Sequence, residues 1–128
     1  PLFLMSMRGM ALAFHNFARS KDPVHEEVIK ACLANPVMVA GEGRIDTELM
    51  RKVPGIFLKG GAEGVQIGFV PDGRTVVFKV SDGSQRAHEI LLQSAFQQLG
   101  IEIQVEEVAV LGGGVKVGQL RPVIGGKK

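Results

Sequence analysis

Residues 56–80 read IFLKGGAEGVQIGFVPDGRTVVFKV, and this stretch decides the fold. Ile56 to Lys59 is a short apolar run that stops at a glycine pair. Val65 to Val70 is a second run and Thr75 to Val80 a third, both rich in the β-branched and aromatic residues that suit a pleated surface. Between them stands Pro71-Asp72-Gly73-Arg74. Proline sets the first turn dihedral, aspartate bonds its own backbone and glycine accepts a positive φ, so the segment predicts a tight hairpin. Strands joined by so short a connection pair antiparallel.

The flanks of this hairpin block read as helix. Upstream, Phe3, Met7, Met10, Phe14 and Phe17 recur at spacings of four and three, which places them on one helical face from Leu2 to Ala18. Asp22-Pro23 is an N-cap followed by proline at the first helical position. Val24, Val28, Ile29, Cys32 and Leu33 mark one face of that helix, and Asn35-Pro36 ends it. Asp46-Thr47 is expected to cap a short helix running to about Lys52. Downstream, Ser81-Asp82-Gly83-Ser84 is expected to open a helix whose apolar face is Ala87, Ile90, Leu91, Ala95 and Leu99, with Gly100 closing it. From Ile101 the alternation IEIQVEEVAV predicts strand, then a Gly112-Gly113-Gly114 turn and a last strand in VKVGQLRPV. Helices before and after hairpin-linked strands give an α+β fold, three-layer-like, with an antiparallel sheet and flanking helices. Nothing divides residues 1–128, which read as a single unit with no internal boundary.

The chain has 128 residues, 45% hydrophobic and 22% charged, which suits one globular core and excludes a disordered chain. Its net charge is +2 and its basic residues are scattered, so no nucleic-acid face is expected. The apolar opening is interrupted by Arg8, His15 and Asn16 and is too short to span a bilayer, so no membrane association is expected. It also lacks the basic start and cleavage site of a signal peptide. Cys32 stands alone, so no disulfide can form within the chain, and a cytoplasmic setting is expected. The first residue is proline, which is read as the mark of a trimmed or cut chain. Searches for GxGxxG and GxxxxGK[ST] fail, as do HxxxH, CxxC, GxSxG and SxxK, so neither a nucleotide nor a metal site nor a serine nucleophile is expected here, and no cofactor.

Lys59 is the strongest chemical candidate. An ammonium at the end of a buried strand would be partly desolvated, and desolvation favours the neutral amine that can take a proton from a hydroxyl; spacing alone prefers a plain surface lysine at the strand end. The glycines beside it let a substrate approach the backbone, whose N–H groups can hold a developing oxyanion. Glu42, Arg44 and Asp46 crowd a glycine-rich segment, either to orient a polar substrate or to form a structural ion-pair network, the latter preferred. Asp82 and Arg86 read as a helix-capping and anchoring pair.

Several of these segments together resemble the bacterial L-asparaginase II family, the thermolabile Rhizobium-type group. The resemblance lies in Gly41-Glu42-Gly43-Arg44, Thr47, Leu49-Met50, Lys59, Gly61-Ala62-Glu63-Gly64, Asp82-Gly83 and Arg86-Ala87. The opening helix and the closing GQLRPV are similar too, more loosely. Members of that family are longer, so the resemblance implies that this chain is their C-terminal portion. It implies a fold similar to that of the serine β-lactamases and glutaminases, with serine–lysine chemistry. The nucleophilic serine, its SxxK-like lysine and any cysteine-rich metal site would then belong to an N-terminal part. Lys59 would be the retained catalytic position, Gly60, Gly61 and Ala62 the substrate and oxyanion segment, and Glu42, Arg44, Asp46, Glu63, Asp82 and Arg86 motif residues of binding or structure. The implied reaction is hydrolysis of L-asparagine to L-aspartate and ammonia through an acyl-enzyme, with this chain inactive by itself. Expected partners are the small amide substrate and a second copy or a complementary N-terminal half. Two other readings stand beside it: a non-catalytic module that associates through the Phe3–Phe17 stripe, and an amino-acid-binding domain using Arg44 and Lys59.

Overall fold

The computed structural model describes residues 3–104 and 107–123. The chain divides into two compact units, Pro1–Ser84 and Gln85–Lys128.

The first unit opens with helix α1 (Met7–Ala18). Ser6 is extended and its hydroxyl accepts the Gly9 N–H at 3.0 Å, which starts the helix there. Phe3 therefore lies outside the helix and is 92% exposed, and Met7 at the first position is 47% exposed. The expected five-residue stripe is shortened to Met10, Phe14 and Phe17, which do pack on the core. Helix α2 (Pro23–Ala34) begins as the sequence predicts, with Asp22 Oδ1 accepting the Val24 N–H at 2.8 Å. Ile29, Cys32 and Leu33 meet the core, whereas Val24 and Val28 face solvent.

Asn35-Pro36 is a break and also a restart. Helix α3 (Pro36–Ala40) follows at once, with proline at its first position. Helix α4 (Ile45–Lys52) has Arg44 as its N-cap, not Asp46-Thr47. Both expected capping residues sit inside the helix and are buried, because their side chains are spent on other segments. Thr47 Oγ1 donates to Gly41 O at 2.6 Å, and Asp46 turns toward the sheet.

Strands β1 (Phe57–Gly60), β2 (Val65–Phe69) and β3 (Thr75–Lys79) form an antiparallel sheet in the order β1-β2-β3. Register pairs Phe57 with Phe69 and Lys59 with Ile67, then Ile67 with Val77. Phe57, Lys59, Ile67, Phe69 and Val77 thus share one face. On it Phe57 and Phe69 stack at 4.6 Å between ring centroids, Phe14 stacks on Phe69 at 6.1 Å, and Phe17 meets Phe69 edge-on at 6.2 Å. Leu58, Gln66 and Val76 belong to the opposite face and are also buried.

The 71–74 hairpin forms as expected. Val70 O accepts the Gly73 N–H at 2.9 Å, Asp72 Oδ1 accepts the Arg74 N–H, and Gly73 has φ 94°. His15 Nδ1 of α1 donates to Gly73 O at 2.7 Å, which ties the first helix to this turn.

In the second unit, helix α5 (His88–Gln98) starts later than residues 81–84 predict. That segment forms a turn instead, with Asp82 Oδ1 accepting the Ser84 N–H at 2.9 Å. The expected face is also corrected. Leu92 and Phe96 are fully buried and His88, Ile90 and Ser94 nearly so, while Ala87, Leu91, Ala95 and Leu99 are half-buried. A helix sheltered on more than one side carries no single stripe for a periodicity count to find. Gly100, at φ 74°, closes the helix as expected, followed by Ile101 N–H on Phe96 O. The strand expected from Ile101 does not form at 101–104, where the described backbone is neither helix nor strand. Val105 and Glu106 lie outside the described residues. Strands β4 (Ala109–Gly112) and β5 (Val115–Gln119) make an antiparallel hairpin across Gly113-Gly114.

Candidate functional site

Lys59 stands near the end of β1, on the face of the aromatic cluster but beyond its edge. Of the two readings of Lys59, the surface position preferred on spacing is the one adopted, and the desolvated one is not: burial along β1 stops at Leu58, and Lys59 is exposed. Its Nζ folds back to donate to Gly60 O. The stem borders an open hollow of about 470 Å3, lined by Ala31, Cys32, Asn35, Met38, Val39 and Phe57 besides Lys59 itself. Most of that lining is apolar. The hollow therefore offers one ammonium, one carboxamide and one thiol around an apolar wall.

The next residues form a single 3-10 turn, Ala62–Gly64. Gly61 N–H is taken by Val65 O at 2.8 Å, so of the three segment residues Gly60, Gly61 and Ala62 it is Ala62, exposed on the turn, that fits a donor role. Glu63 has φ 55° and ψ 38°, the one described non-glycine residue with a positive φ. The turn is held in that shape from behind. Val80 N–H donates to Gly64 O at 2.9 Å, and a Cβ on Gly64 would stand 3.1 Å from the Gly83 carbonyl carbon. Gly64 and Gly83, both near φ 73°, are the two glycines this contact requires. Asp82 belongs to the turn that carries Gly83, and its carboxylate closes that turn. It does not cap α5, whose N-cap is Ala87.

The Glu42, Arg44 and Asp46 group separates. Glu42 points to solvent and makes a two-pronged pair with Arg51 at 2.8 and 3.1 Å, which holds its carboxyl below the usual carboxylate range. Arg44 caps α4. Asp46 is only 6% exposed, and each of its oxygens has a donor: Oδ2 accepts the Gly60 N–H at 2.6 Å and Oδ1 accepts Gln66 Nε2 at 2.9 Å. Of the sequence-derived candidates, the structure thus brings together Asp46, Lys59 and the Gly60–Glu63 segment. Gln66 was missed. Its signal was a carboxamide in the middle of an apolar strand, VQIGF, where a polar side chain needs a buried partner.

The L-asparaginase II family profile matches residues 1–122. The chain belongs to the L-asparaginase II family. A search of curated proteins finds no match. Membership makes the chain an asparaginase-like amidohydrolase by family and implies an amino-acid amide as substrate. Among the described residues no group of three or more His, Cys, Asp or Glu could hold a metal ion. No helix among them is long and apolar enough to cross a membrane.

Proposed function

We propose that this chain carries the lysine strand of an L-asparagine amidohydrolase of the serine–lysine type, with the nucleophilic serine supplied from outside these 128 residues. The observation that carries the reading is the placement of Lys59. It lies beside a rigid glycine turn and on the rim of a hollow sized for a small molecule, in a chain matched by the family over nearly its whole length. No Ser-x-x-Lys occurs in the sequence, which supports an external nucleophile.

In the proposed reaction a serine hydroxyl attacks the side-chain carbonyl of L-asparagine, and its proton passes to a lysine amine. The carbonyl oxygen becomes an oxyanion, with the Ala62 N–H as its proposed donor. Collapse breaks the C–N bond, the proton goes to the departing nitrogen, and ammonia leaves. Water then attacks the acyl-serine, and aspartate is released with the serine restored. Lys59 acts as a base or shuttle in these transfers.

The test is ammonia release from L-asparagine. The purified chain alone is expected to give none. Addition of a Ser-x-x-Lys-bearing segment encoded upstream of Pro1 is expected to restore turnover, and Lys59→Ala to abolish it again. Turnover by the isolated chain, or restored turnover indifferent to Lys59→Ala, would sink the reading.

Association with a second chain is supported by one observation. Phe3, Leu4 and Met5 just before α1, and Met7 at its first position, are all exposed, an apolar run that water does not favour. Light scattering at high concentration checks it; a monomer removes it.

A further inference from the structure

Gly60 stands between two anchors. The peptide before it, Lys59–Gly60, offers its N–H to Asp46 Oδ2 at 2.6 Å. The peptide after it, Gly60–Gly61, offers its N–H to Val65 O at 2.8 Å and its carbonyl to Lys59 Nζ. Rotation about Gly60 would carry its carbonyl away from the lysine head, and glycine, lacking a Cβ, opposes such rotation least. Asp46 blocks that rotation from the helix side.

The anchor is built for close approach. A Cβ at Gly60 would lie 3.2 Å from Asp46 Oδ2 and 3.3 Å from Gln66 Oε1, so a side chain there would push the carboxylate back by a few tenths of an ångström. Asp46 is in turn fixed by Gln66, which is 1% exposed and donates through Nε2 to Asp46 Oδ1 and to Ile67 O at 3.1 Å. A buried carboxylate bonded to a backbone N–H makes a charge-assisted bond, stronger than a neutral one.

We propose that Asp46 is a positioning residue for Lys59, acting through the two peptide groups that flank Gly60. The proposal rests on the reading of Lys59 as the lysine of the site. It assigns Asp46 no contact with substrate. Asp46→Asn removes a charge near the ammonium as well as an anchor, so the charge-neutral Gly60→Ala is the variant that separates a positioning role from a merely structural one.

The experiment is NMR on the unmodified chain and three variants, labelled at backbone amides, lysine Nζ and aspartate carboxylates. In the unmodified chain a through-hydrogen-bond coupling between the Gly60 amide nitrogen and the Asp46 carboxylate carbon is expected; its absence overturns the proposal. Asp46→Asn and Gly60→Ala are each expected to move the backbone amide signal at position 60 and to shift the Lys59 Nζ titration midpoint by at least about half a pH unit. Thr47→Val removes a different buried bond of α4 and is expected to leave Lys59 in place. An unchanged Lys59 titration in a folded Asp46→Asn or Gly60→Ala protein overturns the proposal, as does an equal shift in Thr47→Val. If Asp46→Asn does not fold, Gly60→Ala decides. The catalytic reading of Lys59 fails separately, through Lys59→Ala in the turnover assay, without touching these spectra.

Discussion

Two hairpins in this chain have nearly the same strand chemistry and opposite fates. The β2–β3 hairpin, VQIGF and TVVFK, is mostly sheltered, with Phe69 at 1% and Ile67 at 5% exposed. The β4–β5 hairpin, AVLG and VKVGQ, leaves Val110, Leu111, Val115 and Val117 between 40% and 68% exposed. Both have β-branched residues and a glycine turn. What differs is a third strand and two helices: β2 is flanked on both sides, and its inward face receives Met10, Phe14 and Phe17 from α1 and Ile29, Cys32 and Leu33 from α2. β-propensity makes a strand possible, and packing decides what it is worth.

The sharpest way to break this comparison is to empty the centre of the buried hairpin. Phe69→Ala removes the ring on which Phe14, Phe17 and Phe57 converge, and is expected to cost about 3–5 kcal/mol in denaturant unfolding. A loss below about 1 kcal/mol would mean that the aromatic cluster is not the core. Next comes the turn behind Lys59. Gly64→Ala places a methyl against the Gly83 backbone at a φ of 73°, with an expected loss of about 1–3 kcal/mol and a disturbed Glu63 amide signal. Gly113→Ala, also at positive φ but with open space around it, is the matched control and is expected to lose only the backbone cost, about 1 kcal/mol. On the exposed hairpin Val117→Ala is expected to change stability by no more than about 0.5 kcal/mol. A larger loss would show that something covers those valines.

The smallest effect is electrostatic. Arg51 holds the Glu42 carboxyl below its ordinary range, chiefly by hydrogen bonding, and Arg74 does the same for Asp72. A carboxylate depressed on folding contributes stability above its unfolded pKa and loses it as pH falls through the folded value. The arginines stay charged throughout. Urea midpoints are therefore expected to fall on the acid side of the ordinary carboxylate range, and Arg51→Met to remove part of that fall. Both pairs are exposed, so added salt is expected to weaken the difference further.

Much of this architecture was legible in residue order. Asp22-Pro23, Pro71-Asp72-Gly73 and Gly100 each state a local geometry that the backbone adopts, because a cap or a turn involves only neighbours. The misreadings share one cause. Asp46-Thr47 has the chemistry of a cap, and Ser81–Ser84 that of a helix start, yet each is claimed by a different local or tertiary bond. Ile101–Gln104 alternates as a strand does, but alternation cannot supply a partner.

The site divides along the same line. The sequence by itself placed Lys59 at a strand end before a glycine turn, and the motif residues around it named the family. Only the tertiary structure decided that Lys59 is exposed, that Glu42 and Asp46 part company, and that Asp46 and Gln66 meet behind Gly60. Local signals travel through bonds between neighbours in the chain. The Asp46–Gly60 and Asp46–Gln66 contacts join residues 14 and 20 positions apart, and such contacts exist only once helix α4 is laid against the sheet.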